Sequence, residues 1–134
     1  MNKSNIIEMD NEINGGHVRF FIYRTPKNNH HTIIRLNKQF IYIRKQGPLY
    51  TRFFCLNNKE GLMPFISIAK TVFANQDYDD VWMEIHFYKE RKHVYEVQTK
   101  IENDENMKPI CGQFGDLMTP HSKGIIGDFS QFKV

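Results

Sequence analysis

The sequence predicts a single α+β domain in which four antiparallel strands form one sheet with two helices on one face. Three observations support this fold class. Four segments are rich in aromatic and β-branched residues, as strands are, and two segments repeat apolar residues at helical spacing. The segments follow one another in the order β-α-β-β-α-β, and the 134 residues match the size of one domain.

The composition excludes several classes of protein. Hydrophobic residues make up 40% of the chain and charged residues 25%, which provides enough apolar material for a folded core. The sequence has no apolar run long enough for a membrane-spanning helix and no apolar core of a secretion signal near its start. Cys55 and Cys111 are far apart in the sequence, so we expect both to be reduced, as is usual in the cytoplasm. We therefore expect a cytoplasmic protein, and because no segment could span a bilayer, we expect no membrane partner.

Polarity sets the expected domain boundaries. Residues 1–16 are polar, contain four asparagines and end in Gly15-Gly16, which predicts a flexible N-terminal arm. Residues 17–134 contain no internal repeat or low-complexity tract. We therefore expect them to form the one ferredoxin-like domain.

The first strand and the first helix are predicted to adjoin directly. The strand covers residues 17–24. Thr25 and Pro26 have the pattern of a helix start, in which a hydroxyl caps the helix and proline takes the first helical position. Apolar residues then recur at helical spacing to about residue 46, and Gly47-Pro48 ends the helix.

The remaining elements follow in the second half of the chain. Strands are predicted at residues 49–56, 81–88 and 124–132, and a second helix from about residue 90 to 103. Residues 60–75 fit either a short helix that starts at Pro64 or a strand, and residues 107–117 fit a short irregular or helical piece. This order of elements is the ferredoxin-like arrangement.

Alternation along the third strand divides it into two sets of side chains. Val81, Met83, Ile85 and Phe87 are all apolar and are expected to pack on the helices. The other set is expected on the face without helices and consists of Trp82, Glu84, His86 and Tyr88. In the first two strands, alternation does not decide which set faces the helices.

Several large rings on an uncovered face would exceed the apolar patch that is usual on a soluble monomer. A second copy of the sheet is the simplest cover for such a face. The sequence therefore predicts a homodimer whose two sheets meet around a lined cavity.

Polar side chains on that face suggest a pocket for a small organic molecule. His86 and Glu84 are the expected catalytic pair, because histidine exchanges protons near neutral pH and a carboxylate can hold or protonate a ligand group. Arginines can clamp a carboxylate, and aromatic walls can hold an apolar body. The expected ligand-binding residues are Trp82, Tyr88, Arg19, Phe21, Tyr23, Arg52, Phe54 and Asp128. The alternative is that these polar groups only pair with one another across the dimer interface.

The sequence predicts neither a metal site nor a cofactor. His30 and His31 are adjacent, so their side chains diverge on a helix, and the sequence has no His-Glu-x-x-His or paired-cysteine motif. A haem would need an axial ligand, for which His86 and then His121 are the candidates, although both are more simply ordinary polar residues. Cys55, between Phe54 and Leu56, is expected to be a small core residue.

Nucleic acid is not an expected partner. A net charge of +3 is too small to indicate binding to a phosphate backbone. Exposed aromatic residues on a sheet can stack bases, but the Gly-rich basic and aromatic segment of RNA-recognition modules is missing, and Glu84 would repel phosphate.

The C-terminal half also carries a resemblance. Residues 103–107, Asn-Asp-Glu-Asn-Met, stand where one family of small, functionally uncharacterised bacterial proteins tends to have a Ser-Asp-Pro-Arg-Met-like segment. Residues 125–129, Ile-Ile-Gly-Asp-Phe, resemble that family's closing Ile-Tyr-Gly-Gly-Phe. With the βαββαβ order, the chain resembles this family within the dimeric α/β-barrel superfamily.

The resemblance implies a homodimer and a range of activities known in the wider superfamily. These are cofactor-free monooxygenation of aromatics, haem degradation, lactone isomerisation and plain binding of small molecules. Binding of a small molecule is the leading expectation, and cofactor-independent monooxygenase or isomerase chemistry is the alternative. A structural or interaction role is the third possibility.

Overall fold

The computed structural model describes residues 16–44, 47–48, 50–57, 59–72, 74 and 78–132. The predicted N-terminal arm lies outside these residues, apart from Gly16. The strands are β1 (His17–Pro26), β2 (Tyr50–Cys55), β3 (Asp79–Tyr88) and β4 (Ile125–Ser130). The helices are α1 (His30–Arg44), α2 (Ile68–Thr71), α3 (Arg91–Glu102) and α4 (Met107–Leu117), and a 3-10 turn spans Lys27–Asn29.

The four strands form one open sheet in the order β2-β3-β1-β4, and every neighbouring pair is antiparallel. The central pair is the longest, with His17 opposite Tyr88 at one end and Pro26 opposite Asp79 at the other. The predicted α+β class with a four-stranded antiparallel sheet is confirmed. Within the described part of the chain, none of the helices has the length and apolar character needed to cross a lipid bilayer.

The first helix begins later than predicted. Thr25 and Pro26 belong to β1, where they pair with Asp80 and Asp79 of β3, and the 3-10 turn precedes α1. The Thr25 hydroxyl is buried and accepts a hydrogen bond of 2.8 Å from the indole nitrogen of Trp82. Long-range strand pairing thus uses the residues whose local pattern predicted a helix cap, and that prediction is wrong.

Residues 60–75 contain a helix, but it does not begin at Pro64. It is the single turn α2, and the Ser67 side chain accepts a hydrogen bond from the backbone of Ala69 at its start. The preceding loop is exposed at Leu62 and Phe65. Residues 107–117 form the regular helix α4.

The helices cover the opposite sheet face from the one predicted. Trp82 packs with Ile33 of α1, and Tyr88 packs with Val94 and Val97 of α3. The set that contains Trp82 and Tyr88 therefore faces the helices. The error has a physical cause: the helix-facing set includes Glu84 and His86, whose polar groups are satisfied by hydrogen bonds with Tyr23 and with each other, whereas the entirely apolar set lies on the other side of the sheet.

We call the other side of the sheet the open face. α2 covers one end of it, where Val72 packs with Ile22 and Val81. Beyond that end, the described helices leave the face uncovered. Its side chains come from all four strands. They include Val18, Phe20 and Ile22 of β1; Tyr50, Arg52 and Phe54 of β2; Val81, Met83, Ile85 and Phe87 of β3; and Ile125 and Phe129 of β4.

Two ring pairs lie on the open face. Phe20 stacks on Phe129 with 5.1 Å between ring centroids, and Tyr50 stacks on Phe87 at 4.3 Å. Gly127 lies under the first pair, since a Cβ atom there would come within 2.8 Å of the Phe20 ring. A glycine is therefore required at this position for the rings to keep their places.

Candidate functional site

A cavity of about 740 Å³ lies between the helix-covered face of the sheet and helices α1, α3 and α4. The strands supply its floor, and the helices supply a mostly apolar wall that also carries Lys100. That wall includes Phe40, Val97, Ile101, Met107 and Phe114. Because the cavity lies within one copy of the chain, it is not the space between two sheets that the sequence predicted.

A row of hydrogen-bonded side chains crosses the floor of the cavity. The Glu84 side chain is buried, with a residue exposure of 4%. The Tyr23 hydroxyl donates to Oε1 of Glu84 over 2.9 Å, and Nε2 of His86 lies 3.2 Å from Oε2. The Tyr88 hydroxyl lies 3.5 Å from Nδ1 of His86. We call these four residues the polar row.

The polar row places an acid and a base side by side in an apolar space. A carboxyl group and an imidazole in contact can exchange a proton, and both can bind a polar group of a ligand. Tyr23, Glu84 and His86 line the cavity, while Phe21 adds a ring whose centroid lies 4.9 Å from that of His86. The structure thus brings together four of the predicted site residues at the cavity.

Trp82 and Tyr88 support this site without lining it. Trp82 is 2% exposed and packs with Tyr23 and Ile33 behind the cavity. Its ring also stacks on Phe53, with 4.7 Å between centroids. Tyr88 lies next to His86 and packs under α3.

Arg19 and Asp128 form an ion pair outside the cavity lining. The Arg19 guanidinium donates two hydrogen bonds to the Asp128 carboxylate, of 2.7 and 3.0 Å, and a third of 3.1 Å to Gln98 of α3. The hydrogen bond with Arg19 is the main reason that the pKa of Asp128 lies below its usual value, and His17 adds to the effect. The same hydrogen bond raises the pKa of Arg19. This pair joins β4 to β1.

Replacing Asp128 with Asn should flatten the acid side of the pH–stability profile. The lowered pKa of Asp128 in the folded state means that its ionised form adds stability above the unfolded-state pKa, about 3.9. This contribution should be complete above about pH 5 and should disappear as the pH falls through the folded-state pKa. Urea unfolding at a series of pH values should give the wild type a higher free energy of unfolding than the variant at pH 7. In acid, the two free energies should converge. If the difference in free energy of unfolding between wild type and variant did not narrow in acid, the ionised Asp128 would not be the source of this stability.

Arg52 and Phe54 are not brought to the cavity. Both lie on the open face, on the other side of the sheet from Glu84 and His86. The parity of β2 could not be read from its sequence because both of its alternating sets contain large apolar residues.

Cys55 is exposed rather than a core residue, and Cys111 is exposed as well. Burial of the Cys55 thiol is partial, but it is the largest cause of a raised pKa there, followed by the charge of Asp80. Such a thiol is a poor nucleophile at neutral pH.

The helical wall of the cavity is the part of the candidate site that the sequence analysis did not predict, although the spacing of Val94, Val97 and Ile101 had identified the apolar side of α3.

Comparison with known proteins shows the fold. No family model matches the chain, and no curated protein matches it. The crystal structure of a NIPSNAP-family protein of unknown function from Agrobacterium tumefaciens is similar, with a TM-score of 0.56 and 12% identity, over 90% of this chain and 93% of that one. A second similar structure is the ensemble-refined crystal structure of a protein from Arabidopsis thaliana. Its TM-score is 0.55 and its sequence identity 14%, over 87% of this chain and 97% of that one. The likeness confirms the expected α+β architecture with an antiparallel sheet.

Proposed function

We propose that the protein binds a small organic molecule with an apolar body and one hydrogen-bonding group in the cavity between helices and sheet. The observation that carries this proposal is the buried Glu84 carboxyl group on the floor of a mostly apolar cavity, whose lining also includes Lys100 and Asp104. Its volume of about 740 Å³ lies in the range of roughly 300–1,000 Å³ that is usual for ligand pockets. Such pockets combine apolar walls with a few polar groups that fix the ligand's orientation.

The arrangement of the walls suggests how a ligand would lie. Its apolar body would contact Ile101 and Phe114 on the helix side and the Phe21 ring on the sheet side. A hydroxyl or N–H group at its other end would donate to Glu84, next to the Tyr23 hydroxyl that already does so. An ionised carboxylate has about four acceptor sites on its two oxygens, so Glu84 can accept from a ligand as well as from Tyr23, and a ligand that can donate is favoured over a purely apolar one.

The contact between Glu84 and His86 favours a second candidate function. This is cofactor-independent chemistry on a small organic substrate, as an isomerase or a monooxygenase. In an isomerisation, Glu84 would take a proton from a carbon next to a substrate carbonyl group, and His86 would hydrogen-bond the carbonyl oxygen as negative charge develops on it. Glu84 would then return the proton to a different carbon as the carbonyl double bond re-forms or the new double bond is fixed. Turnover that survives His86→Ala intact would exclude this role for His86.

We also propose that the chain is a ferredoxin-like protomer of a homodimeric α/β barrel in the cytoplasm. The strand order β2-β3-β1-β4 supports the topology, and the apolar open face supports the pairing. The two unpaired cysteines are compatible with a reducing compartment. In this dimer, each copy would keep a cavity of its own, because the faces that meet would be the open ones.

The ligand proposal can be tested with N-phenyl-1-naphthylamine, a neutral aromatic amine that fluoresces in apolar surroundings. We expect saturable binding with one probe per chain. Ile101→Trp should place a bulky ring where the ligand's apolar body would lie and weaken binding by about tenfold or more, a loss of about 1.4 kcal/mol. Glu96→Trp adds the same ring at an exposed position of α3 and should bind as the wild type does. Equal binding by both variants would overturn the proposal.

A second variant tests the polar anchor. Glu84→Gln keeps the shape of the side chain but removes its charge, and hydrogen bonds to charged groups are the stronger ones. We expect probe affinity to fall by about three- to tenfold, with the unfolding midpoint measured alongside. Native mass spectrometry of freshly purified protein would identify any molecule that remains bound. Unchanged affinity in a folded Glu84→Gln variant would show that the carboxylate does not hold the ligand.

A further inference from the structure

Three side chains with metal-binding atoms meet where β2 ends and β3 begins. His30 is the first residue of α1, Cys55 the last of β2 and Asp80 the second of β3. One ligand atom from each lies within 4.8 Å of the others, and Nδ1 of His30 is 2.8 Å from Oδ2 of Asp80. None of the three lines the cavity described above.

The cluster is held by the core rather than by loops. The His30 ring packs on the Trp82 indole, with 5.1 Å between centroids, and Trp82 in turn stacks on Phe53. Cys55 is paired with Trp82 in the β2–β3 ladder, and Asp80 is paired with Thr25 in the β1–β3 ladder. Three elements thus fix the positions of the three donor groups before any ion arrives, which lowers the cost of ordering them.

We propose that His30, Cys55 and Asp80 form a binding site for a divalent transition metal ion, with Zn²⁺ as the ion that fits best. Imidazole nitrogen, thiolate sulfur and carboxylate oxygen are the three ligand types of zinc in proteins. The oxygen-only sets preferred by Mg²⁺ and Ca²⁺ do not include a thiol. Three protein ligands leave the fourth tetrahedral position for water, and the exposure of Cys55 gives solvent access to it.

Proton balance follows from the donor atoms. Zinc binding would replace the His30–Asp80 hydrogen bond with bonds from the metal to Nδ1 and to a carboxylate oxygen, and the neutral imidazole would carry its proton on Nε2. The Cys55 thiol would release its proton to solvent as the zinc–sulfur bond forms. One proton would therefore leave the site for each ion bound.

Cobalt is the most informative probe, because Co²⁺ takes tetrahedral zinc sites and a bound thiolate gives a charge-transfer absorption band. We expect the chelator-treated wild-type chain to bind one Co²⁺ with this band, and Zn²⁺ to displace it. Cys55→Ser should abolish the band, whereas Cys111→Ser, which changes the other exposed thiol, should leave it unchanged. Asp80→Asn should keep the band but weaken Zn²⁺ binding by about tenfold or more.

Three results of the cobalt experiment would contradict the proposed metal site. No band in the wild type, a band that persists in Cys55→Ser, or a band that is lost in Cys111→Ser would each overturn the proposal. Thermal unfolding gives an independent measurement, since Zn²⁺ should raise the midpoint of the wild type and of Cys111→Ser but not that of Cys55→Ser. Because Cys55 is exposed, its replacement should leave the midpoint without metal unchanged.

Discussion

Replacing Trp82 with Ala should lower the free energy of unfolding by about 3–5 kcal/mol, the usual cost of removing a large buried ring. Trp82 is 2% exposed and lies among α1, β1 and β2. The substitution would leave a cavity beside Ile33, remove the stack with Phe53, and leave the Thr25 hydroxyl without its indole donor. Chemical denaturation followed by circular dichroism would measure the change.

Two further variants make this prediction specific. Trp82→Phe keeps a ring but not the indole N–H, so its cost should be smaller than that of the alanine variant. Phe132→Ala removes an exposed ring and should change stability by less than about 0.5 kcal/mol. If Trp82→Ala and Phe132→Ala had similar small effects, Trp82 would not be the centre of the core that joins α1 to the sheet.

Placing charge on the open face should convert the proposed dimer to a monomer. Phe54 and Phe129 are 46% and 53% exposed in the single chain, so the double Glu variant should still fold, although it loses the stack of Phe129 on Phe20, and circular dichroism should confirm its folding. At a symmetric interface the double variant would bury four carboxylates without partners. We expect the dimer dissociation constant to rise by about 100-fold or more, or about 2.7 kcal/mol. Sedimentation equilibrium would measure it.

The matched control changes two exposed tyrosines outside the open face, Tyr78 and Tyr95, to Glu. It adds the same charge and removes the same number of rings, so it should sediment as the wild type does. A wild type that is monomeric at micromolar concentration would contradict the pairing itself. Dissociation by the control as strongly as by the double open-face variant would contradict the assignment of the interface to this face.

The sequence predicted the fold class because strand and helix patterns are local. The apolar spacing along α1 and α3 and the aromatic runs of β1 and β3 are each visible within about ten residues. It failed at Thr25 and Pro26, where pairing with a strand more than 50 positions away decides the conformation. Local patterns carry no information about such a partner.

The residues that line the candidate site were predicted less completely than the fold. Glu84 and His86 were identified because polar side chains in an apolar strand are unusual, and Tyr23 and Phe21 because they alternate with apolar residues. The sheet face on which these four side chains lie depends on where the helices pack. The alternation of side chains along a strand carries no information about that. The grouping of His30 with Cys55 and Asp80 could not be foreseen for the same reason, since it depends on how the start of α1, the end of β2 and the start of β3 come together in the fold.

The missing side chain at Gly127 sets how near another layer can come to the open face. Atoms of the Phe20 and Phe129 rings lie 2.8 to 3.0 Å from the place where a Cβ atom of residue 127 would be, so both rings occupy that space. In the proposed dimer, a side chain at this position would push the two rings toward the facing sheet, which in stacked sheets lies about 10 Å away. The glycine would thus keep these two rings out of the space that a second copy would occupy.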